Sequence, residues 1–334
     1  MDTPSATACR TRTDGTYRPA QWRDPLVDFA YSPPSPSRRN AVMRLTRCIA
    51  LALALLTAPA AAQDFSKVQI KATALRGGTH MLTGAGGNIV ASVGNDGIYI
   101  IDDQYAPLSG KILAALKTLG DKPLRFVINT HWHSDHTGGN EAMGQAGAVV
   151  MAHQNVRTRM GTAGMFRGEA RNAEPVGALP VVTFEDGLSL HLNGDHMHAR
   201  HVARAHTDGD ALVKFEHANV LHMGDVYFNG LYPFIDLESG GTVDGYIAAV
   251  RAGVAMSDAD TLVVPGHGPV SNRAELAAFG DMLQRYRDAI AAMKSAGKTL
   301  TDVIAARPTA ATDEAQGKAF IKPDQLVTAI YNSL

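Results

Sequence analysis

From Gln63 onward the chain opens with runs that alternate apolar and polar positions: "HMLTG", "GNIVASVG" and "GIYIIDD". A period of two sends successive side chains to opposite faces, so these runs read as β-strands, with "NDG" at Asn95 to Gly97 as a hairpin turn. After Pro107 the spacing becomes helical in "LSGKILAALKTLG", and "LRFVIN", Leu124 to Asn129, reads as a short buried strand. A second β-rich stretch follows in "LSLHL", "DHMHARHV", "DALVKFEH" and "NVLHMGD". It leads to a helix near Val243 to Met256, a strand in "TLVVPG", and long helices from Asn272 to Ala296. Strands and helices therefore come twice in the same order. Two such halves bury their sheets against each other and carry helices on the outside, which predicts an α/β fold, a four-layer αββα sandwich with ligands at the strand ends.

The segment before this pattern has a different character. "CIALALALLT", Cys48 to Thr57, is preceded by Arg44 and Arg47 and followed by "APAAAQ", the order of a secretory signal. Its apolar run is shorter than the roughly 20 residues a membrane span needs. Residues 43–62 are therefore expected to be a signal peptide cleaved near Ala62, giving a periplasmic or secreted protein without a stable membrane anchor. Cys48 stands before the apolar run, which argues against a lipoprotein anchor. Residues 1–42, with "SPPSPS" and scattered arginines, lack hydrophobic periodicity and read as an unstructured upstream extension. Translation from Met1 or from Met43 stays open, as does export by the Sec or twin-arginine route. Residues 63–334 are read as one domain.

Cleavage at that point would alter the chemistry available. Both cysteines, Cys9 and Cys48, would leave, so the mature chain has no disulfide and no thiolate ligand. Its 23 basic residues against 28 acidic ones give a formal charge of −5, and no basic run offers a footprint for nucleic acid. A small-molecule substrate is the expected partner; the pattern does not predict an oligomeric state.

The densest chemistry lies directly after the buried strand, in "THWHSDHTGGN", Thr130 to Asn140. Imidazole and carboxylate suit zinc, and the spacing of His131 and His133 lets them converge on one ion. Asp135 and His136 are displaced along the same tight loop and can serve a second ion, typically about 3.5–4 Å away in two-metal sites. Other histidines carry less. His196, His198 and His201 read as a polar sheet face, His222 as an ordinary strand residue or a support for the site, and His80, His153, His191 and His217 form no constellation.

The run H-x-H-x-D-H resembles the signature of the metallo-β-lactamase superfamily, and the likeness extends from about Arg76 to Ala296. "AHTDGD" adds His206, "HMGD" adds Asp225 and "VPGHGPV" adds His267. The resemblance implies two zinc ions per chain. His131, His133 and His206 would hold one, Asp135, His136 and His267 the other, and Asp225 would bridge them. It also implies that Asp102, in "YIIDD", supports a ligand, and that Asp135 acts catalytically by orienting a metal-bridging hydroxide. Zinc can bring the pKa of a bound water to about 7, and no G-x-S-x-G nucleophile competes for that role.

Departures from the family pattern bear on substrate. Asp225 stands where the cysteine-containing lactamases have their thiolate, and so resembles the bridging aspartate of glyoxalase II. The lysine those lactamases use for the substrate carboxylate is Phe228 here. "MLTGAGGNI" leaves a short turn in place of a long flap, and Arg159 to Pro180, with Met165 and Phe166, is a candidate apolar lid or an ordinary connection. Tyr227, Asn229 and Tyr232 are candidate residues lining the site, any of which has a group able to donate to an oxyanion. The expectation is an exported di-zinc hydrolase with modest β-lactam ring-opening activity; a lactonase or thioesterase is the alternative. A di-iron redox protein of the same fold is the alternative of another class, disfavoured by His133, where such proteins prefer glutamate.

Overall fold

The computed structural model describes residues 64–334, so the extension and signal read at 1–42 and 43–62 lie outside the described residues. Strands β1 (Lys71–Ala74), β2 (Thr79–Thr83), β3 (Ile89–Gly94) and β4 (Gly97–Ile101) form an antiparallel meander. The β3–β4 turn is Asn95-Asp96, because Gly97 already pairs with Gly94. Helix α1 (Ser109–Leu119) then crosses to β5 (Leu124–Asn129), which lies parallel to β4. The short helices α2 (Ser134–Thr137) and α3 (Asn140–Gln145) precede β6 (Val149–His153), and α4 (Gln154–Met160) follows it. A small hairpin, β7 (Gly164–Phe166) and β8 (Glu169–Arg171), stands apart before β9 (Val182–Phe184) closes the seven-stranded sheet in the order β1-β2-β3-β4-β5-β6-β9.

The second sheet has six strands. β10 (Gly187–Leu192), β11 (Asp195–His201), β12 (Ala211–Phe215) and β13 (Val220–His222) are antiparallel neighbours. Helix α5 (Val243–Ala255) leads to β14 (Leu262–Val264), parallel to β13, and β15 (Ser271–Asn272) completes the edge. The stretch read as long helices, Asn272 to Ala296, is a single helix, α6 (Arg273–Ser295), and three shorter ones follow it, α7 (Leu300–Ala306), α8 (Ala310–Gln316) and α9 (Pro323–Ser333). Asn272 caps α6 by accepting from Glu275 N, and Gly297, at φ +76°, interrupts the run before Thr299 caps the next helix.

Side-chain alternation decides the layering. In β4, Tyr99 and Ile101 face the second sheet and meet Met197, Val213 and Phe215, whereas Ile98 and Ile100 face outward onto Ile112 and Leu116 of α1. Leu212, Leu221 and Val263 of the second sheet turn outward onto Val250 of α5, Leu283 of α6 and Ile330 of α9. Helices thus cover both outer faces, the expected αββα sandwich. Truncating a fully buried residue such as Ile100 or Leu283 to alanine costs about 2–5 kcal/mol through lost burial and the cavity left behind. The two sheets end together, and the loops leaving β4, β5, β11, β13 and β14 gather at one rim.

Candidate metal centre

At that rim the strands bring seven ligand-type side chains into two clusters: His131, His133, His206 and Asp225 in one, Asp135, His136 and His267 in the other. Within each cluster the ligand atoms lie within 4.8 Å of one another. His131 and His133 leave the end of β5, Asp135 and His136 lie in α2, His206 follows β11, Asp225 sits in the turn after β13, and His267 follows β14. The buried strands hold the loops, and the loops present the chemistry.

The first cluster is a set of converging lone pairs. His133 Nδ1 lies 3.1 Å from His131 Nε2 and 2.9 Å from His206 Nε2. Each ring's other nitrogen is occupied by a donor hydrogen bond. His133 Nε2–H points to Asp236 Oδ2 at 2.9 Å and His206 Nδ1–H to the Phe234 carbonyl at 2.8 Å. Thr130 Oγ1 donates to Asp102 Oδ2, so it accepts from His131 Nδ1–H at 3.0 Å. With all three tautomers set from outside, the inner nitrogens have no hydrogens to share. Burial holds His131 well below the usual imidazole range, His136 beside it adding to the effect, and lowers His133 as well. Neutral imidazoles with their lone pairs aimed at a common point suit a cation.

Asp225 stands between the clusters. Its Oδ2 lies 3.8 Å from His131 Nε2 and 3.6 Å from His206 Nε2, while its Oδ1 lies 3.1 Å from His136 Nε2 and 3.3 Å from His267 Nε2. Oδ1 is buried without a hydrogen-bond partner. That unsatisfied oxygen also fits a metal ligand. The approach depends on glycine: a Cβ on Gly266 would come within 2.0 Å of Asp225 Oδ1, and one on Gly87 within 2.1 Å of the His136 ring.

The second cluster is held differently. His136 Nδ1–H donates to Asp102 Oδ2 at 2.7 Å, and Asp102 also accepts from Thr130 N, adopting φ +64° to do so. His267 Nε2 approaches Asp135 Oδ2 at 3.2 Å. Burial disfavours a charged His136, but Asp225, Asp135 and Asp102 outweigh it and raise its pKa well above the ordinary value. His267 is pushed up to about 9 by Asp225 and Asp135 against the same burial cost. The carboxylates around this half favour positive charge on its imidazoles, the same demand a cation would meet.

Above the clusters opens a cavity of about 290 Å³. His133, Asp135, Asp225 and His267 form its floor; Tyr105, Phe166, Phe228, Tyr232, Phe234 and Phe320 form most of its wall. Phe166, on the 159–180 segment, packs 4.8 Å from His133 and 5.3 Å from Trp132, so the tip of the hairpin is a wall of the cavity. Phe228, where a lysine stands in the cysteine-containing lactamases, stacks on His267 with centroids 5.0 Å apart.

Of the three residues expected to line the site, Tyr232 reaches the cavity, whereas Tyr227 and Asn229 do not. Tyr227 is buried, and its hydroxyl pairs with Ser271 at 2.8 Å, away from the cavity. Asn229 donates to the Pro269 carbonyl and lines a separate surface recess. Tyr232 offers its ring to the cavity, but its hydroxyl bonds Thr312 and Asp313 in the C-terminal helices. Packing fixes all three groups elsewhere. His222 pairs with the Asn88 carbonyl and accepts from Gly224 N, steadying the turn that carries Asp225. His196 and His198 lie half-buried on the outer strand face, His196 stacked on His191.

Two supports escaped the sequence reading. Asp236 holds His133, and Tyr246 of α5 donates to the backbone carbonyl of Asp225. "NGLYPFIDLESGG" contained Asp236, yet nothing in its spacing linked it to a histidine 103 positions earlier.

A sandwich of two sheets with a His/Asp cluster of metal-binding type at its rim defines a class of metal-dependent hydrolases. Residues 84–267 match the model of the metallo-beta-lactamase superfamily, and the chain belongs to that superfamily. Over 164 residues it is 32% identical to a hydroxyacylglutathione hydrolase of Polaromonas sp., covering 48% of this chain. The match covers 55% of that protein, so the chain spans about half the length of this curated relative. A metallo-beta-lactamase from Pontibacter korlensis superposes with a TM-score of 0.55 at 19% identity, over 65% of this chain and 99% of that one. The stereoselective inverting sec-alkylsulfatase of Pseudomonas sp. gives a TM-score of 0.59 at 17% identity, over 79% of this chain and 50% of that one. At these identities the likeness concerns fold alone.

Proposed function

We propose that the chain is an exported di-zinc hydrolase of small acyl compounds that opens β-lactam rings with modest efficiency. The observation that carries the metal assignment is the convergence of three imidazole lone pairs whose outer nitrogens are all committed to acceptors. His131, His133 and His206 would hold one ion, Asp135, His136 and His267 the second, with Asp225 shared. When bound, zinc supplies Lewis acidity and hydroxide at neutral pH, which replaces the missing serine or cysteine nucleophile.

The chain's own groups have distinct tasks in this reading. Asp102 fixes the tautomer of His136, and Asp236 does the same for His133. Asp135, at the cavity floor, orients the nucleophile toward a carbonyl seated above it. The aromatic wall limits water beside that carbonyl, which strengthens electrostatic interactions there. Attack on a strained lactam amide suits this arrangement. With Phe228 packed on His267, carboxylate anchoring on that side is weak, so binding limits turnover more than attack does.

Zinc reconstitution followed by elemental analysis tests the metal count, with two ions per chain expected. A single tightly bound ion, or stoichiometric iron with redox activity, overturns it. A panel of β-lactams, lactones and thioesters tests the substrate. The similarity to a hydroxyacylglutathione hydrolase supports a second reading, thioester or lactone hydrolysis. Ready cleavage of those substrates by di-zinc protein that leaves β-lactams intact at high enzyme concentration selects it. Export rests on the signal-like residues 43–62, and N-terminal sequencing of protein recovered from the periplasm or medium is expected to start near Gln63. An intact cytoplasmic chain sinks that part.

A further inference from the structure

Two hairpin turns in this molecule share a backbone and differ in residue. Between β10 and β11 the loop is Asn193-Gly194, with φ +56° and +72°; between β7 and β8 it is Arg167-Gly168, with φ +54° and +79°. Both are two-residue turns with positive φ at each central position, the geometry that favours Asn-Gly because an ordinary side chain is strained in the left-handed region. Asn193 fits that preference and also ties the turn to its surroundings through Ser92 and the Gly97 carbonyl. Arg167 does neither. A strained residue that gives its own turn no hydrogen bond invites a functional explanation.

Its position supplies one. Arg167 lines the aromatic cavity above the metal centre, and among the described residues no other lysine or arginine does. Its guanidinium lies 4.6 Å from the Phe320 ring centroid and 5.7 Å from that of Phe234. The Phe234 ring is itself 5.9 Å from the His133 imidazole. The Phe234 ring is therefore a neighbour of both the cation and the metal-binding cluster. Among the described residues no carboxylate oxygen lies within 4.0 Å of the guanidinium nitrogens. Glu238, the nearby acid on the 237–239 turn, spends its Oε1 on Gly168 N at 3.2 Å and so clamps the turn. Asp236 and Asp324 line the neighbouring groove that Arg167 also borders, with Asp236 committed to His133. Asp135 and Asp225 belong to the metal clusters.

We propose that Arg167 is the substrate's anion anchor, and that this site takes small compounds with an apolar body and one carboxylate at the end away from the bond to be cut. The proposal rests on the hydrolase reading above and names its substrate class. The apolar body lies against Phe166, Phe228, Phe234 and Phe320, the scissile carbonyl reaches the floor, and the carboxylate meets the guanidinium at the open edge. The anchor that Phe228 cannot provide is thus placed on the opposite wall. Arg167 is a specificity residue here and takes no part in bond breaking.

The test uses two probes that differ at one end, 4-mercaptophenylacetic acid and its neutral carboxamide, each carrying a thiol for the metal. Calorimetry on zinc-loaded native protein at low salt is expected to give about a fivefold to tenfold preference for the acid, shrinking as salt rises. Arg167→Gln and Arg167→Asn should bring the acid-to-amide ratio close to one, and Arg167→Lys should keep part of it. Arg167→Asn guards against misfolding, because it places the favoured residue in the turn and should raise the thermal midpoint by about 2 °C while the preference is lost. Equal affinities for the two thiols in native protein overturn the anchor and leave the metal centre standing. A preference that survives in Arg167→Gln also overturns it. If neither thiol binds zinc-loaded protein, the hydrolase reading falls and the anchor falls with it.

Discussion

The two halves of the metal centre are built on opposite principles. His131, His133 and His206 are buried, neutral and turned inward by acceptors outside the cluster, so no proton has to leave before a cation enters. Asp135 and His267 keep 20% and 24% of their surface and face the cavity, and the Asp225 and Asp135 carboxylates favour protons on His136 and His267. Filling this half means expelling those protons. A preorganised site binds tightly, and one that must deprotonate binds more weakly and more so in acid. In the proposed reading the difference also divides the work: the buried half would secure the centre, and the open half would meet substrate.

The strongest challenge to this division is Asp225→Ala, since that carboxylate faces both halves. Turnover should fall by about 1,000-fold or more, and zinc content should drop below one equivalent after a chelator wash. Asp135→Ala should cost a similar factor in turnover yet retain one zinc per chain. Loss of both ions from that variant would falsify the independence of the buried half. An intermediate effect is expected for Asp236→Asn, which leaves the His133 ring without its carboxylate. Zinc affinity at the first half should weaken about 10–100-fold in competition titrations, the usual cost of losing such a partner. Unchanged affinity there removes Asp236 from the account.

Graded chelation sharpens the comparison without mutation. One ion should leave first, its release accelerating as pH falls from 9 to 6, and activity should disappear with it. Simultaneous loss of two ions contradicts the contrast. The smallest effect concerns the metal-free protein. A histidine whose folded pKa is raised stabilises the fold fully below its unfolded value near 6.5, and that contribution is lost as pH rises through the folded value. His267, at about 9, therefore predicts a declining thermal midpoint for metal-free protein between about pH 7 and 9. Zinc-loaded protein should show little of this decline, because the metal has already displaced the proton.

The two side-chain clusters were legible in the chain because much of them is local. Four of the seven side chains fall in His131 to His136, where one loop after one strand brings them together, and His206, Asp225 and His267 follow strand ends whose period-two patterns were visible. The same alternation announced the two sheets, since Tyr99 and Ile101 must face one way and Ile98 and Ile100 the other. The break-up of the C-terminal region into α6 to α9 was harder to read, as short amphipathic segments joined by Gly297 and Pro323 carry little periodicity of their own.

What tertiary structure alone decided is where side chains from separate segments point when they meet. Tyr227, Asn229 and Tyr232 sit in the right stretch of chain, yet Ser271, Pro269 and the Thr312–Asp313 pair draw their polar groups away from the cavity. Asp236 reached His133, and Tyr246 reached the Asp225 carbonyl, only through the packing of one loop and one helix against the second sheet. Phe166, Arg167, Phe234 and Phe320 come from three distant segments and become one wall when those segments fold over the rim. Periodicity reports which face a residue takes within its own element. It carries no information about the neighbour that another element brings to that face, because register, crossing geometry and loop packing set that contact, and these exist only once the layers have assembled.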